Sequence, residues 1–370
     1  MAGPFTFGIE EEYFLVDAET KSLVREMPQA FLAAAKAAAN GRISPEFLQP
    51  QIEVISSPHE TMASALAEVR ELRQTMAAVA GEHGLAILAC GTHPTGTWRK
   101  ALQTEKARYD NVMNDLQMIG QRDLLCGLHV HVELPDPDDR IDLMYRMLPY
   151  LPLFLALSTS SPFWQSRTTG LKGYRLAAYD ELPRTGVPEL FRTRQEFDAY
   201  VAALVQAGVI EDSSYVWWAI RPSLLNPTLE LRAPDSCTLI EDAIAIAALY
   251  RTLARHLYLN PWRNCDLDPV GRAIIIENKW QAQRHGVHAT FAAEDGAATV
   301  AEMLERVICA TAADAEALGC SDEINRCRAI VSSGTSADAQ LAVFAAHNRN
   351  GSRGAALRAV TEWIAAATLQ

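Results

Sequence analysis

Three short segments place acid, imidazole and guanidinium side chains two residues apart. In IEEEYFLVD, residues 9–17, Glu10 and Glu12 stand at i and i+2. In CGLHVHV, residues 126–132, His129 and His131 repeat that spacing, and in TLELRAPD, residues 228–235, Glu230 is followed by Arg232. A fourth segment, PQIEVIS at residues 50–56, adds Gln51 and Glu53. Alternate side chains of a β-strand point to opposite faces, so each pair shares a face if its segment is extended. Leu128, Val130 and Val132 would then oppose the histidines, and Leu229 and Leu231 would oppose Glu230 and Arg232. One sheet could thus carry an apolar face against helices and a second face lined with Glu, His and Arg.

The plain alternative is a solvated outer sheet face. Composition weighs against it, because such faces are usually rich in Thr, Lys and Ser. Clustered carboxylates repel one another unless a cation neutralises them. Oxygen ligands with an imidazole among them suit Mg²⁺ or Mn²⁺. The sequence contains no H-E-x-x-H, no P-loop and no G-x-G-x-x-G after a strand. If ATP is used, metal ions and arginines must hold its phosphates, and Arg175, Arg221 and Arg232 are the candidates. Glu11 lies between the paired acids and faces the other way, so its loss is expected to spare turnover. Loss of Glu230 is expected to relieve like-charge repulsion and even to stabilise the metal-free protein.

The elements that must position these residues read as α+β. Strands are expected at residues 7–17, 47–57, 85–91, 124–134, 215–221 and 228–233. Helices are expected at 29–39, 61–83 (with Gly84 as its stop), 104–119, 143–157, 194–207, 239–258, 300–318, 338–346 and 354–369. Residues 166–188, rich in Gly, Arg, Thr and Pro, read as a long ordered loop. Strands cluster in the first two-thirds, which favours one α+β domain over residues 1–370 rather than a doubly wound sheet. Trp217, Trp218 and Trp280 read as core, and Cys90 and Cys126 as inert buried thiols.

Composition bounds the function classes. A 370-residue chain that is 49% hydrophobic buries enough surface to fold, and its net charge of −12 argues against a nucleic-acid partner. Seven cysteines without a C-x-x-C pair point to a reducing, cytoplasmic setting. The N-terminus lacks a basic, apolar leader, and the longest apolar run is shorter than a bilayer needs and holds three prolines. No membrane partner is therefore expected.

These segments carry a resemblance. IEEEYFLVD, CGLHVHV and TLELRAPD resemble, in the same order, the P-E-P-E-F-F-L-F-D, G-x-H-x-H and R-x-E-x-R-x-P-D segments of glutamine synthetase. With GTHP (91–94), TGLKGYR (169–175), IRPS (220–223) and ENKWQAQRHG (277–286), the chain more closely resembles the glutamate–cysteine ligase type 2 family, bacterial carboxylate–amine ligases of the glutamine synthetase superfamily. The resemblance implies a mainly antiparallel curved sheet with a polar active-site face, ATP, and Mg²⁺ (or Mn²⁺). It implies Glu10, Glu12, Glu53, His129 and Glu230 as metal ligands, and His131 and Arg221 as nucleotide contacts. It further implies Arg175 as a substrate-carboxylate binder and Arg232 as the catalytic arginine at the transferring phosphoryl group. Where the superfamily often has Pro between the paired acids, this chain has Glu11.

The implied reaction joins a carboxylate, such as the γ-carboxylate of glutamate, to an amine, such as that of cysteine, through an acyl phosphate. Three other readings stay open: a guanidino-kinase-like phosphotransferase, a divalent-metal hydrolase, and a non-catalytic small-molecule sensor. Amine-dependent ADP release separates the ligase from all three. The prior for assembly is a homodimer.

Overall fold

The computed structural model describes residues 5–293, 296–349 and 351–370. Its organising element is one long strand, β1 (Phe7–Asp17). β2 (Ile43–Pro45), β3 (Gln51–Ile55), β4 (Leu85–Leu88) and β5 (Leu128–Glu133) follow in the chain. β6 (Phe163–Trp164) and β7 (Arg167–Thr168) form a small separate hairpin, and β8 (Ile220–Pro222) and β9 (Thr228–Leu231) complete the main sheet. Its order is β2-β3-β1-β5-β9-β8, with β4 also on β1, and the pairings are antiparallel. The α+β architecture with an antiparallel sheet is the one expected.

Register is what matters for the site. Glu12 lies opposite Glu53, Glu10 opposite His129, His131 opposite Glu230, and Glu230 opposite Arg221. Directly opposed residues on one face hold their Cβ atoms about 5 Å apart. Five strands therefore bring these side chains together.

Helices cover the other face. α1 (Gln29–Ala38) and α2 (Met62–Glu82) pack together beside the early strands. Thr61 caps α2 by accepting from Ser64 N–H, and Gly84, at φ +67°, ends it in the left-handed conformation that glycine tolerates. The helix Ile240–Leu259 packs against α2 and β5 and is buried along most of its length. This face is not wholly apolar. Glu11 and Arg73 form an ion pair there, both almost completely buried.

Several expected boundaries shift for local reasons. The strand expected at 47–57 is β3 preceded by a turn, where Gln51 N–H bonds Leu48 O. The helix expected at 143–157 is two helices, Arg140–Met147 and Leu151–Ser158, joined by a 3₁₀ turn. Pro149 and Pro152 supply no N–H there, so one continuous ladder cannot form. The expected loop at 166–188 contains the short helix Tyr174–Tyr179. Two helices, Pro269–His285 and Ser321–Ser333, were not expected. Trp280 is no core residue; it lies on the first of these, 48% exposed. Among the described residues, no helix is long and apolar enough to cross a membrane.

Candidate active site

The polar face of the sheet forms the floor of a cleft of about 600 Å³, within the usual size range of small-molecule sites. Glu10, Glu12, Glu53, His129, His131, Arg175, Arg221, Glu230 and Arg232 all line it. The structure thus brings together every site residue the sequence singles out.

His129 sits at the centre. Its Nδ1 lies 3.3 Å from Glu10 Oε2, 3.9 Å from Glu230 Oε1 and 4.0 Å from Glu53 Oε1, and its Nε2 lies 3.7 Å from Glu12 Oε1. Two sets of three ligand atoms result, Glu10–His129–Glu230 and Glu12–Glu53–His129, each lying within 4.8 Å of one another. The donor set fits a hard divalent cation. His129 Nε2 is buried without a hydrogen-bond partner, which is costly unless something else engages it. Burial pushes the Glu53 carboxyl well above the usual range, and the charges of Glu10, Glu46 and Glu12 add to that. Burial, followed by the charge of Arg232, holds His129 below the ordinary imidazole value, which leaves a neutral ring able to ligate.

The guanidiniums are arranged around Glu230. Arg221 Nε bonds Glu230 Oε2 at 2.7 Å, and its other nitrogens reach Glu230 Oε1 and the carbonyls of Ser214 and Val216. Arg232 pairs with Glu230 Oε1 and reaches Tyr179 Oη at 3.5 Å, while its buried Nε has no partner. Burial alone would raise the Glu230 carboxyl; Arg232 and Arg221 more than offset it and hold it well below the usual range. This pairing argues against the expected gain in stability on removing Glu230, because the deletion would leave two guanidiniums without their anion.

His131 Nδ1 lies 2.8 Å from Thr228 Oγ1, and Nε2 lies 3.2 Å from Glu10 Oε1. Burial alone would lower its pKa, but the closeness of Glu10 and Glu230 raises it. Arg175 is only 2% exposed and sends NH1 to the carbonyls of Arg232 and Pro234, at 3.1 and 3.0 Å. Gly127 makes room for it, since a Cβ there would lie 2.1 Å from Arg175 NH2. Gly127 N–H in turn donates to Glu12 Oε2 at 2.5 Å. Arg175 therefore braces the backbone at Arg232 and Pro234.

Sequence reasoning passed over other lining residues. Glu46, Tyr109, Asp123, Tyr179 and the exposed Leu224–Leu225 turn line the same cleft. Burial, then the charges of Glu12 and Asp123, pushes Glu46 up to about 8. Burial and Glu12 push Asp123 up to about 7. Both residues precede strands in turns, where no alternation marks which way they face. The landmark GTHP is scaffolding: Thr92 Oγ1 bonds Phe163 O, and a Cβ at Gly91 would meet the Asp235 carboxylate at 2.7 Å.

The description "Glutamate-cysteine ligase family 2" matches residues 6–362. The chain belongs to that family. A relative from Bradyrhizobium sp. (strain ORS 278), provisionally named glutamate–cysteine ligase 2, is 55% identical over 365 residues, covering 99% of this chain and 88% of its own. A relative of the same provisional name from Rhodospirillum rubrum is 43% identical, covering 99% of this chain and 96% of its own. Among solved structures, a glutamate–cysteine ligase from Francisella tularensis in complex with AMP superposes with a TM-score of 0.69 at 14% identity, over 99% of this chain and 89% of that one. A bifunctional glutathione synthetase from Pasteurella multocida gives 0.73 at 15% identity, over 98% of this chain and 52% of that one. At such identities the likeness is one of fold, and the fold of this family 2 chain is that of these ligases.

Proposed function

We propose that this family 2 chain is an ATP-dependent carboxylate–amine ligase that forms an amide through an acyl phosphate, with glutamate and cysteine as substrates. One observation carries the reading: two triplets of ligand atoms share His129 on the floor of a cleft rimmed by arginines. Glu10, His129 and Glu230 would hold one Mg²⁺ or Mn²⁺, and Glu12 and Glu53 would serve a second. Such ions, when bound, neutralise phosphate charge and polarise the oxygens they touch. The chain's own residues do the rest.

In the proposed first step a carboxylate oxygen of the substrate attacks the γ-phosphorus of ATP. The bond to the β,γ-bridging oxygen breaks and ADP leaves. Phosphoryl transfer asks for positioning and charge stabilisation rather than covalent help. Arg232 supplies a planar, permanently charged fork at the transferring group. Arg175 holds the main chain beneath that fork and adds positive field at the end of the cleft that receives the substrate carboxylate. His131 and Arg221 stand on the nucleotide side. In the second step the amine attacks the acyl carbon, inorganic phosphate departs, and the nitrogen loses a proton to give the amide. The seven free cysteines support the reducing cytoplasm as the place of work, and one catalytic unit over residues 1–370 suits the cleft.

The test is ADP release measured with carboxylate and amine supplied separately and together. The proposal expects rapid release only with both substrates and a divalent ion, abolished by EDTA. Equal release without the amine, or full turnover in metal-free buffer, overturns it.

A further inference from the structure

The last residue of the TLELRAPD segment is a buried acid with no part in the chemistry described above. Asp235 stands three residues beyond Arg232 and is fully buried. Burial pushes its carboxyl up to about 6 against the opposing pull of Arg175, so keeping it ionised at neutral pH costs stability. Its two oxygens are used unequally. Oδ2 accepts from Ser160 N–H at 2.9 Å and from the Ser161 hydroxyl at 2.6 Å. Oδ1 is buried with no hydrogen-bond partner. A half-satisfied buried anion of this kind calls for an explanation, and function is one of the few available.

Its hydrogen bonds lead outward to two arginines of the cleft. Ser161 Oγ, held by Asp235, accepts Arg175 N–H at 2.9 Å. Arg175 is the second residue of the helix Tyr174–Tyr179, whose N-cap, Gly173, has no side chain to satisfy that N–H. The main chain of Ser161 holds the same turn, since Tyr174 N–H reaches Ser161 O at 3.3 Å and Ser161 N–H reaches Lys172 O at 3.0 Å. On its other side Asp235 is bridged to Gly127, just before β5, and its N–H bonds Ser158 Oγ at 3.2 Å. Arg175 closes the loop by bonding the carbonyls of Arg232 and Pro234. One carboxylate thus joins the strand segment that carries Arg232 to the helix that carries Arg175. Two glycines make room for the arrangement. A Cβ at Gly91 would collide with the Asp235 carboxylate, and one at Gly127 with the Arg175 guanidinium. Cys126 N–H bonds Gly91 O, so the two glycine segments lie side by side.

We propose that Asp235 is a positioning residue: through Ser161 it seats the helix Tyr174–Tyr179 and fixes the Arg175 guanidinium relative to Arg232. This rests on the ligase reading above and extends it to a residue outside the cleft. Charge matters here as well as shape. Hydrogen bonds to an ionised acceptor are about twice as strong as neutral ones, so a carboxylate holds Ser160 and Ser161 more firmly than an amide would. Asparagine keeps the volume and one accepting oxygen but removes the buried charge. Asp235→Asn should therefore fold as stably as the wild type, the relief of desolvation offsetting the weaker bonds, and still loosen Arg175.

The test pairs a double-mutant cycle with hydrogen exchange. ADP release is measured at steady state for the wild type, Asp235→Asn, Arg175→Met and the double variant. Asp235→Asn should raise the KM for L-glutamate about tenfold or more, as misplacement of a binding group does. The KM for ATP should stay within about twofold, and the melting temperature should not fall. In the double variant the KM for L-glutamate should equal that of Arg175→Met alone, because a residue acting through Arg175 then has nothing left to position. Effects that multiply in the double variant, or a lower melting temperature with unchanged KM, overturn the proposal. If Asp235→Asn fails to fold, Ser161→Ala, which keeps the charge and removes the link, takes its place in the cycle with the same KM expectations. Hydrogen exchange of the ligand-free chain needs no turnover. Amides of residues 174–179 should exchange about fivefold or more faster in Asp235→Asn, with α2 unchanged; equal exchange over 174–179 also overturns the proposal. A wild type without amine-dependent ADP release would sink the ligase reading instead, and exchange over 174–179 would still decide whether Asp235 seats the helix.

Discussion

Removing the carboxylate of Glu11 should cost more stability than any activity. Its side chain points away from the cleft, and there it holds Arg73. The guanidinium bonds Glu11 Oε1 at 2.5 Å and Oε2 at 2.9 Å, and also the carbonyls of Cys237, Thr238 and Thr368 at 2.7, 2.7 and 3.1 Å. Tyr13 Oη donates to Glu11 Oε2 at 2.5 Å. One arginine thus ties β1 to α2, to the segment after β9 and to the C-terminus. Glu11→Ala leaves this cation in the interior with carbonyls alone. Breaking a buried pair from one side costs about 3–5 kcal/mol. Replacing both partners, Glu11→Leu with Arg73→Met, should cost much less, since no buried charge is stranded. The assay is urea unfolding of the wild type, both single variants and the double variant, with kcat measured per folded molecule. We expect a loss of about 3–5 kcal/mol for Glu11→Ala, with kcat in the folded fraction within about twofold of wild type, since a group remote from the reacting atoms adds nothing to transition-state binding. A loss below about 1 kcal/mol would refute the reasoning on the buried pair, and a fully stable variant with collapsed kcat would refute the assignment of faces.

Three further outcomes follow from the same geometry. Glu230→Ala should lower the melting temperature in metal-free buffer, because Arg221 and Arg232 lose their shared anion; a rise in melting temperature would contradict the pairing. Arg232→Lys should lower kcat by about a hundredfold or more with little change in ATP–Mg²⁺ binding, checked by steady-state kinetics and a nucleotide titration; a near-normal kcat would remove it from the catalytic set. His93, 1% exposed, is pushed down to about 4 by burial, and its Nδ1 accepts from Thr95 and Gly96 N–H. The unfolded chain thus binds more protons between pH 6.5 and 4, so His93 contributes stability that is full above its ordinary 6.5 and lost as pH falls to about 4. The whole effect is about 3 kcal/mol, and His93→Gln should flatten that stretch of the stability–pH curve; an unchanged slope counts against it.

The active face was legible because it is written in strands. Period-two alternation at Glu10–Glu12, His129–His131 and Glu230–Arg232 fixes which side chains share a face without any knowledge of the partners. Sheet order is not local information, so the opposition of Glu12 to Glu53 and of His131 to Glu230 appears only in the fold. Glu46 and Asp123 lie in turns, where no period applies, and Arg73 is 62 residues from the Glu11 it neutralises. The missed helix Pro269–His285 did carry its signals. Asp268 caps it by accepting from Gly271 N–H, Pro269 stands at its first position, and Gly286 follows it at φ +57°. The long expected strand at 47–57 failed because the apolar character of Phe47 and Leu48 reads the same in a buried turn as in a strand.

The central claim is that the cleft couples ATP cleavage to amide formation. The measurement that tests it most directly is product stoichiometry: ADP, phosphate and amide quantified together by mass spectrometry from ATP, Mg²⁺, glutamate and cysteine. The account predicts one ADP and one phosphate for each γ-glutamylcysteine formed, and no ADP when cysteine is withheld. Steady ATP cleavage without amide, or release of AMP and pyrophosphate in place of ADP and phosphate, would contradict it.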